Sequence, residues 1–595
     1  MLVLPIFLIS GVLGATSCKL TPNDPTWPTD GEWAALNNSI DGTLLRTVPA
    51  ASSCWPGNPF DSPFSCDTVK SNWTSGIFHA ALPESIDYPL YANNSCLPPG
   101  ASGYDENKGC QLGGLPEYIV NATTEQQIAT AMKWASERDI RICIKGTGHD
   151  MNGRSSGAYS LSIWTRNFNH IEHLPTWTLP SNTTIPHAFR IGSGNGWGAV
   201  LTAALAHNRV VTTGQDPSVG PGGYIQGGGH GPLSRTHGLG AHQVLQATLV
   251  TPTGAILTAD DRTHPDVFWA LRGGGGGTYG VVSQYVIQSH PAPRVSTGTL
   301  SFAPLDDSDA AANGSWDAAA TLFAHLPDLM DAGLAGAATL ATGATATKFN
   351  PSLKSPTPGV AGTQVFWALD TSSAALTALV AAVAAALRAQ GAVAVAWNAA
   401  NQTDYRSFFT SISGSDAAGA GALMSSRLLG RRELVETPRA DVAAFLRGAL
   451  RAQNRTAGTY VTVGLQGGPG VAGVAEERWG AVNPAWREAY LHVIATGADI
   501  DLRRGPKEGL RAAAAWMEEN KESLWREWAP GMGAYANEAN PYDAEWKRDF
   551  YGEHYARLLE VKRKYDPNES LYVLSGVGSE DWEYDLDSGK LCKTV

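Results

Sequence analysis

The sequence predicts a mixed α+β protein with more than one domain. The chain has 595 residues, of which 43% are apolar and 16% charged, and this composition supplies enough core-forming material for globular folding. Stretches with helical periodicity alternate with short runs typical of strands. The composition changes near residue 290, from glycine-rich to alanine-rich, which predicts a domain boundary there.

The first half contains short helices and strands around a glycine-punctuated region. A helix is predicted over residues 123–138, capped by one of its first two threonines, and an alternating strand over residues 140–145. A second short helix at 265–271 has a proline near its start. The alternating pattern of residues 281–288 predicts a strand directly after the last glycine cluster.

The second half is richer in alanine. Residues 309–340 and 374–400 are predicted to be helical, and they alternate with strand-like runs at 364–368 and 459–464. A final helix is predicted over about 544–564, where aromatic residues recur at helical spacing before Pro567 stops the helix.

Charge and targeting signals indicate an extracellular protein. The net charge of −12 argues against binding to nucleic acid or to an anionic membrane surface. Residues 2–15 form an apolar run followed by small residues, which predicts a signal peptide over residues 1–17 and a secreted protein without a membrane span. N-glycans are expected, because Asn-x-Ser/Thr sequons begin at Asn37, Asn72, Asn93, Asn121, Asn182, Asn313, Asn401, Asn454 and Asn568.

The cysteines support the same compartment. Five of the seven lie in the first 110 residues, among prolines, glycines and asparagines, where a segment with little core gains most from cross-links. The expected pairs are Cys54–Cys66 and Cys96–Cys110, with Cys592 as a candidate partner for Cys18 and Cys143 unpaired in a strand.

Three glycine-dense stretches, at residues 145–150, 219–231 and 273–280, point to a ligand that lies close to the backbone. Glycine lets main-chain N–H groups approach phosphate oxygens, so a diphosphate ligand is predicted. The letters of Gly275–Gly280 match G-x-G-x-x-G, but a nucleotide-binding Rossmann motif needs a strand before it and a helix after it, and here the predicted order is reversed.

Four motifs make the family resemblance specific. In order they are Lys145-Gly-Thr-Gly-His149-Asp150, Gly220-Pro-Gly-Gly223, Gly227-Gly-Gly-His-Gly231-Pro-Leu-Ser-Arg235 and Phe268-Trp-Ala-Leu-Arg272 with its glycine run to Gly280. The segment that contains them, residues 115–291, resembles the flavin-binding domain of the vanillyl-alcohol oxidase superfamily and is similar in arrangement to berberine bridge enzyme-like oxidases. The tail around Tyr535-Ala-Asn537-Glu538 resembles the C-terminal element of that family.

This resemblance implies the domain layout. A cysteine-rich extension would occupy residues 18–113, a two-part PCMH-type FAD-binding domain 114–290, and a substrate domain with an antiparallel sheet covered by helices 291–524. The C-terminal element, 525–595, would return to the FAD domain.

The resemblance also implies FAD as cofactor, attached covalently through His149. Such a bond raises the reduction potential of the flavin and helps it accept a hydride. Relatives with two covalent links have a cysteine at the position of Asp216, and a carboxylate cannot form a thioether, so a single link is predicted. The residues expected to bind the cofactor are Gly146, Thr147, Gly148, His149, Asp150, Asn152, Gly153, Arg154, Ser155, Gly214, Val219, Gly220, Gly222, Gly223, Gly227, Gly228, Gly229, Gly231, Leu233, Gly280, Val282 and Asn537.

The sequence offers three candidates for the base that accepts the substrate proton. Tyr535, Glu538 and Asp216 are the candidates, because many relatives have a tyrosine where this chain has Glu538. No metal site is predicted, since the spacings of His230, His237 and His242 fit no common zinc or copper pattern.

The predicted function is oxidation of an alcohol or amine carbon in a carbohydrate or secondary-metabolite substrate, with O2 reduced to hydrogen peroxide. The alternatives are a dehydrogenase with another electron acceptor and a flavin-retaining binding protein without turnover.

Overall fold

The computed structural model describes residues 17–349, 353, 356–414, 418–419 and 421–594. The predicted signal peptide lies outside the described residues except for Ser17. The α+β prediction is confirmed, since helices and mainly antiparallel sheets are combined throughout the described part. None of the helices described is long and apolar enough to cross a membrane.

The N-terminal extension is a loop-rich layer tied down by disulfides. The pairs Cys54–Cys66 and Cys96–Cys110 are formed as predicted, and Cys18 is bonded to Cys592. The extension packs on a small aromatic core that includes both members of the Cys96–Cys110 bond. Its regular elements are the helices Asp30–Ser39, Cys66–Asn72 and Gly76–Ala80 and the strand Leu44–Arg46.

The first sheet carries the first glycine loop. Its strands, in spatial order, are Leu44–Arg46, Tyr118–Asn121, Leu161–Trp164 and Ile142–Lys145. The predicted helix is present at Glu125–Ser136, where Thr124 and Gln127 form a capping box. Buried Cys143 lies in the last strand, unpaired as expected. The chain leaves this strand at Lys145 and enters the loop that holds His149.

A second sheet positions the other glycine loops. It is antiparallel, and its strands in spatial order are Ile171–Thr178, Thr184–Gly192, Val281–Ile287, Val244–Val250 and Ile256–Ala259. The short helix Pro265–Leu271 precedes the third glycine stretch and the strand Val281–Ile287 follows it, as predicted. Further helices in this region are Trp197–Leu205, Pro221–Gln226 and Ser234–His237.

The largest sheet forms the middle of the chain. The described part has eight strands: in order Val393–Ala399, Arg294–Pro304, Thr357–Leu369, Leu334–Gly343, Tyr460–Leu465, Ala489–Ala495 and Ser425–Gly430, with Thr403–Asp404 paired to the second. The core beneath it includes apolar residues of three covering helices, Asp309–Asp331, Ser373–Arg388 and Arg439–Ala449.

Two helices predicted in this region were too long. The segment 309–340 is a helix only to Asp331, and its remainder belongs to the strand Leu334–Gly343. Alanine-rich sequence does not distinguish a helix from a buried strand, and the break falls at Gly333, whose φ of +108° most other residues avoid. The segment 374–400 is divided in the same way into the helix Ser373–Arg388 and the strand Val393–Ala399.

The C-terminal element returns to the first sheet. The single helix predicted over 544–564 is two, Trp546–Tyr551 and Tyr555–Tyr565, separated at Gly552 with a φ of +57°. The Lys562 ammonium donates to the Thr278 carbonyl at 3.0 Å, and the Ile142 N–H donates to the Ser570 carbonyl at 2.7 Å. Preceding helices are Pro506–Met517 and Ser523–Trp528, and the last strands are Trp582–Tyr584 and Leu591–Lys593.

A buried ion pair joins the large sheet to this element. Arg427 donates to Asp549 at 2.5 Å and to the Ala529 carbonyl at 2.7 Å, and the side chains of Arg427 and Asp549 are 1% and 2% exposed. Removing one member of a buried pair leaves the other charge without compensation.

We expect Asp549→Ala to lower the free energy of unfolding by about 3–5 kcal/mol, because the Arg427 guanidinium would remain buried. Thermal and denaturant unfolding measure the loss. The control Asp307→Ala changes an exposed carboxylate and should stay within about 0.5 kcal/mol of the parent. Equal stability of both variants would contradict the structural role of the pair.

Candidate active site

A cavity lies where the three glycine stretches and the C-terminal element meet. Sixteen of the residues predicted to act at the site line it: Gly146, Thr147, Gly148, His149, Asp150, Arg154, Ser155, Val219, Gly220, Gly222, Gly223, Gly280, Val282, Tyr535, Asn537 and Glu538.

The remaining predicted residues are not part of this lining. They are Asn152, Gly153, Gly214, Asp216, Gly227, Gly228, Gly229, Gly231 and Leu233. Several support the wall from behind: a Cβ on Gly227 would lie 2.3 Å from Nδ2 of Asn537, so this glycine allows the C-terminal element to approach. Sequence reasoning missed Ile144, Met151, Thr165, Ser193, Tyr224, Gln226, Gly276 and Gly277, most of which are near neighbours of predicted residues.

The lining of the cavity fits a dinucleotide in its chemistry. A Cβ built on Gly222 or Gly223 would meet nothing within 4 Å, so the backbone here faces open space. Three buried polar atoms of lining residues, Ser193 Oγ, Tyr224 OH and Gln226 Oε1, have no hydrogen-bond partner among the described residues. Buried polar groups of this kind are normally satisfied, and a polar ligand would do so.

A hydrogen-bonded group closes one wall. Arg154 pairs with Asp150 at 2.6 Å and donates to Oδ1 of Asn537 at 3.0 Å. Nδ2 of Asn537 donates to the Gly223 carbonyl at 3.0 Å and to the Tyr535 hydroxyl at 2.8 Å. The tail is thereby fixed against two of the glycine loops.

His149 lies between two carboxylates. Its Nδ1 is 3.0 Å from Oδ2 of Asp87, and its Nε2 is 2.6 Å from Oγ of Ser218. The Ser218 hydroxyl donates to Oδ1 of Asp216 at 2.6 Å. Asp87 comes from the N-terminal extension, and no sequence signal singled it out.

Glu538 forms a second polar group together with two histidines. Its Oε2 lies 3.0 Å from Nε2 of His230 and 3.5 Å from Nδ1 of His492. Burial raises the pKa of Glu538, but the charge and hydrogen bond of His230 outweigh that effect and leave the pKa below its usual 4.5. Burial lowers the pKa of His492 to about 3, so this imidazole is neutral. The group therefore holds an ionised carboxylate.

The same three residues have the composition of a metal site. Their ligand atoms lie within 4.8 Å of one another, although the 3.0 Å contact between His230 and Glu538 is an ordinary hydrogen bond. Of the three histidines considered from sequence, His237 instead stacks on His290 at 3.8 Å. His242 accepts a hydrogen bond from the Leu239 N–H at 3.1 Å. The absence of a metal stays a prediction.

Tyr535 is positioned as a neutral hydroxyl. Burial, followed by the charge of Glu538, raises its pKa well above the usual 10. Its side chain is 4% exposed and its ring packs edge-on against those of His230 and His492.

Comparisons with known proteins agree with this geometry. Residues 116–260 match the family model described as an FAD binding domain, and residues 534–577 match the one described as berberine and berberine like. The FAD-linked oxidoreductase apf9 of Gibberella fujikuroi is 32% identical over 594 residues, covering 98% of this chain and 97% of the relative. The VAO-type flavoprotein oxidase VAO615 of Thermothelomyces thermophilus is 33% identical, with 97% and 95% covered.

A solved structure shows the same architecture. The VAO-type flavoprotein MtVAO713 from Myceliophthora thermophila superimposes with a TM-score of 0.85 at 30% identity, covering 98% of this chain and 100% of that one. Fold and site together define an FAD-linked oxidoreductase. The chain belongs to the berberine bridge enzyme-like group of the vanillyl-alcohol oxidase family, which confirms the family predicted from sequence.

We expect Gly223→Val to reduce the flavin content at least about tenfold, because the added side chain would occupy the cavity. The substitution should not disturb folding, since a Cβ at this position meets no protein atom within 4 Å. Flavin absorbance per protein after gel filtration measures the effect. The matched control is Gly414→Val, at an exposed glycine whose Cβ would also meet nothing within 4 Å. Normal flavin content in Gly223→Val would show that the cofactor lies elsewhere.

Proposed function

We propose that the protein is a secreted oxidase with one covalent flavin, which oxidises an alcohol or amine carbon of a carbohydrate or secondary-metabolite substrate and passes the electrons to O2. The observation that carries this proposal is the ionised Glu538 carboxylate in the wall of the cavity that His149 also lines. FAD, when bound, supplies the hydride acceptor. The chain supplies the proton acceptor and a cavity that limits access of water.

Glu538 is the base that the geometry supports best among the three candidates. It is ionised, lies in the cavity wall and accepts a hydrogen bond from His230 at 3.0 Å, so it is held ready to take up the substrate proton. Tyr535 stays protonated and so serves as a hydrogen-bond donor to the substrate oxygen. Asp216 accepts hydrogen bonds from Ser218 on the His149 side of the site.

A single covalent attachment through His149 is part of the proposal. His149 lines the cavity beside the glycine loops, and the position of a second, cysteine link holds Asp216. The unpaired cysteine of the described residues, Cys143, is buried in a strand and hydrogen-bonded to Ser160 at 3.1 Å.

Secretion and glycosylation complete the proposed function. Three disulfides fit an oxidising compartment. Five of the sequon asparagines are exposed to solvent and thus accessible to N-glycans: Asn182, Asn313, Asn401, Asn454 and Asn568. Reduction of O2 is supported by the name of the relative VAO615, a flavoprotein oxidase.

We expect at least one compound in an anaerobic panel of sugars, alcohols and amines to bleach the flavin absorbance, because a substrate transfers its hydride to the flavin. This assay detects reduction whatever the final electron acceptor is. Admission of air should restore the absorbance within seconds and release hydrogen peroxide. The panel is read by absorbance and the peroxide by a coupled peroxidase assay. Bleaching followed by very slow recovery in air would favour a dehydrogenase instead.

The rate of flavin reduction should fall as the pH drops through the lowered pKa of Glu538, below 4.5, since only the carboxylate accepts a proton. His230→Ala removes the main lowering influence while burial still raises this pKa, so the acidic limb should move up by about one to three pH units. Stopped-flow reduction across pH 3–8 tests this, roughly the range in which a carboxylate titrates. His325→Ala, at a half-buried histidine on the helix Asp309–Asp331, is the control. An unmoved limb would exclude Glu538 as the base.

A further inference from the structure

The N-terminal extension delivers a fully buried carboxylate to His149. Asp87 has a side-chain exposure of 0%, and its Oδ2 lies 3.0 Å from Nδ1 of the imidazole. Neither oxygen of Asp87 has a geometrically sound hydrogen bond within the described residues. A buried carboxylate of this kind needs a compensating positive charge or a donor.

Two other polar groups near Asp87, Lys145 and His79, have hydrogen-bond partners of their own, although both feel its charge. The Lys145 ammonium donates to the carbonyl of Leu82 at 2.7 Å and to that of His79 at 3.3 Å. The two ring nitrogens of His79 contact Ser85 Oγ at 2.6 Å and the Trp73 carbonyl at 2.7 Å. The imidazole of His149 is therefore the group that faces Asp87.

A second carboxylate acts from the opposite side of the ring. Asp216 accepts hydrogen bonds from the N–H and the hydroxyl of Ser218, at 2.7 and 2.6 Å. Because that hydroxyl proton points to Asp216, the Ser218 oxygen is left to accept a proton from Nε2 of His149, 2.6 Å away. The ring is thus flanked by Asp87 at Nδ1 and by the Ser218–Asp216 pair at Nε2.

The ring is also held in place by close packing. A Cβ on Gly76 would lie 3.1 Å from Cε1 of His149 and 3.3 Å from Oδ2 of Asp87, so the helix Gly76–Ala80 covers this contact. The extension is itself stiffened by two internal disulfides, Cys54–Cys66 and Cys96–Cys110. Rotation of the imidazole away from its two partners is consequently restricted.

We propose that Asp87, opposed by Ser218 and Asp216, is a positioning residue for covalent flavin attachment: it fixes the His149 ring and compensates the positive charge that the ring gains as the bond forms. The inference rests on the covalent link of the proposed function. In that reaction a C–N bond replaces one C–H bond of the flavin methyl group. The unprotonated ring nitrogen forms this bond, and the proton on the other nitrogen passes to the carboxylate beside it. The methyl proton passes to solvent, and the two electrons enter the flavin and then, with two protons, reduce O2 to hydrogen peroxide.

Three variants of the full-length secreted protein test the inference. Each is incubated with added FAD, and the covalent fraction is followed as flavin that stays in the acid-precipitated pellet. Asp87→Asn should attach flavin at least about tenfold more slowly than the parent, the lower end of what loss of an orienting carboxylate costs. The control Asp61→Asn changes an exposed residue of the same extension and should match the parent. His149→Ala should show no covalent flavin and gives the background of the measurement.

Asp87→Glu separates a role for charge from a role for shape. Asparagine has nearly the shape of aspartate but no charge, whereas glutamate keeps the carboxylate on a longer side chain. If the charge matters, as the inference requires, Asp87→Glu attaches flavin faster than Asp87→Asn. If Asp87 has a purely structural role, the order is the reverse. Total bound flavin and the melting temperature are measured for every variant, to exclude a general loss of folding.

Each outcome has a defined meaning. Equal rates for Asp87→Asn and the parent, or a faster Asn than Glu variant, would overturn the inference. Free flavin in the supernatant of the parent would instead refute the covalent link itself. If neither Asp87 variant is secreted, Ser218→Ala decides, since it breaks the chain of contacts on the other side and should slow attachment by a similar factor. An unchanged rate in that variant would also overturn the inference.

Discussion

The amide of Asn537 is the interaction on which the site depends. It accepts from Arg154 and donates to the carbonyl of Gly223, residues that lie 383 and 314 positions earlier in the chain. Such contacts require backbones to meet closely, which is why Gly227 has no room for a Cβ beside this amide. The cavity therefore has this wall only when the C-terminal element has docked on the glycine loops.

Charge at the site is arranged in pairs that come from distant segments. Glu538 of the tail is balanced by His230, and Asp87 of the N-terminal extension faces His149. Each pair lies largely shielded from solvent, where an isolated charge would be unfavourable, so each carboxylate needs the imidazole beside it. The flavin-binding domain contributes both imidazoles, while the two ends of the chain contribute the carboxylates.

Local chemistry could be predicted from the sequence, and long-range contacts could not. The many glycines around His149 and in the other two stretches predict that a ligand lies close to the backbone. Residues from all three stretches do line the cavity. The grouping of His230 with His492 and Glu538 has no such signal, because His230 lies hundreds of positions before both of its partners. Asp87 was missed because it belongs to the N-terminal extension, outside the motifs that carry the resemblance. The predicted end of the first alanine-rich helix was wrong, because only Gly333 marks the change from helix to strand there.

The bond between Cys18 and Cys592 makes nearly the whole polypeptide a covalent ring. During synthesis Cys592 emerges last, so the thiol of Cys18 has to wait while Cys54, Cys66, Cys96 and Cys110 are already exposed to oxidation. Thiol–disulfide exchange among these sulfurs is the reaction that corrects wrong pairs before the ring closes. Once the ring is closed, a single proteolytic cut between its two sulfurs leaves both fragments attached to one another.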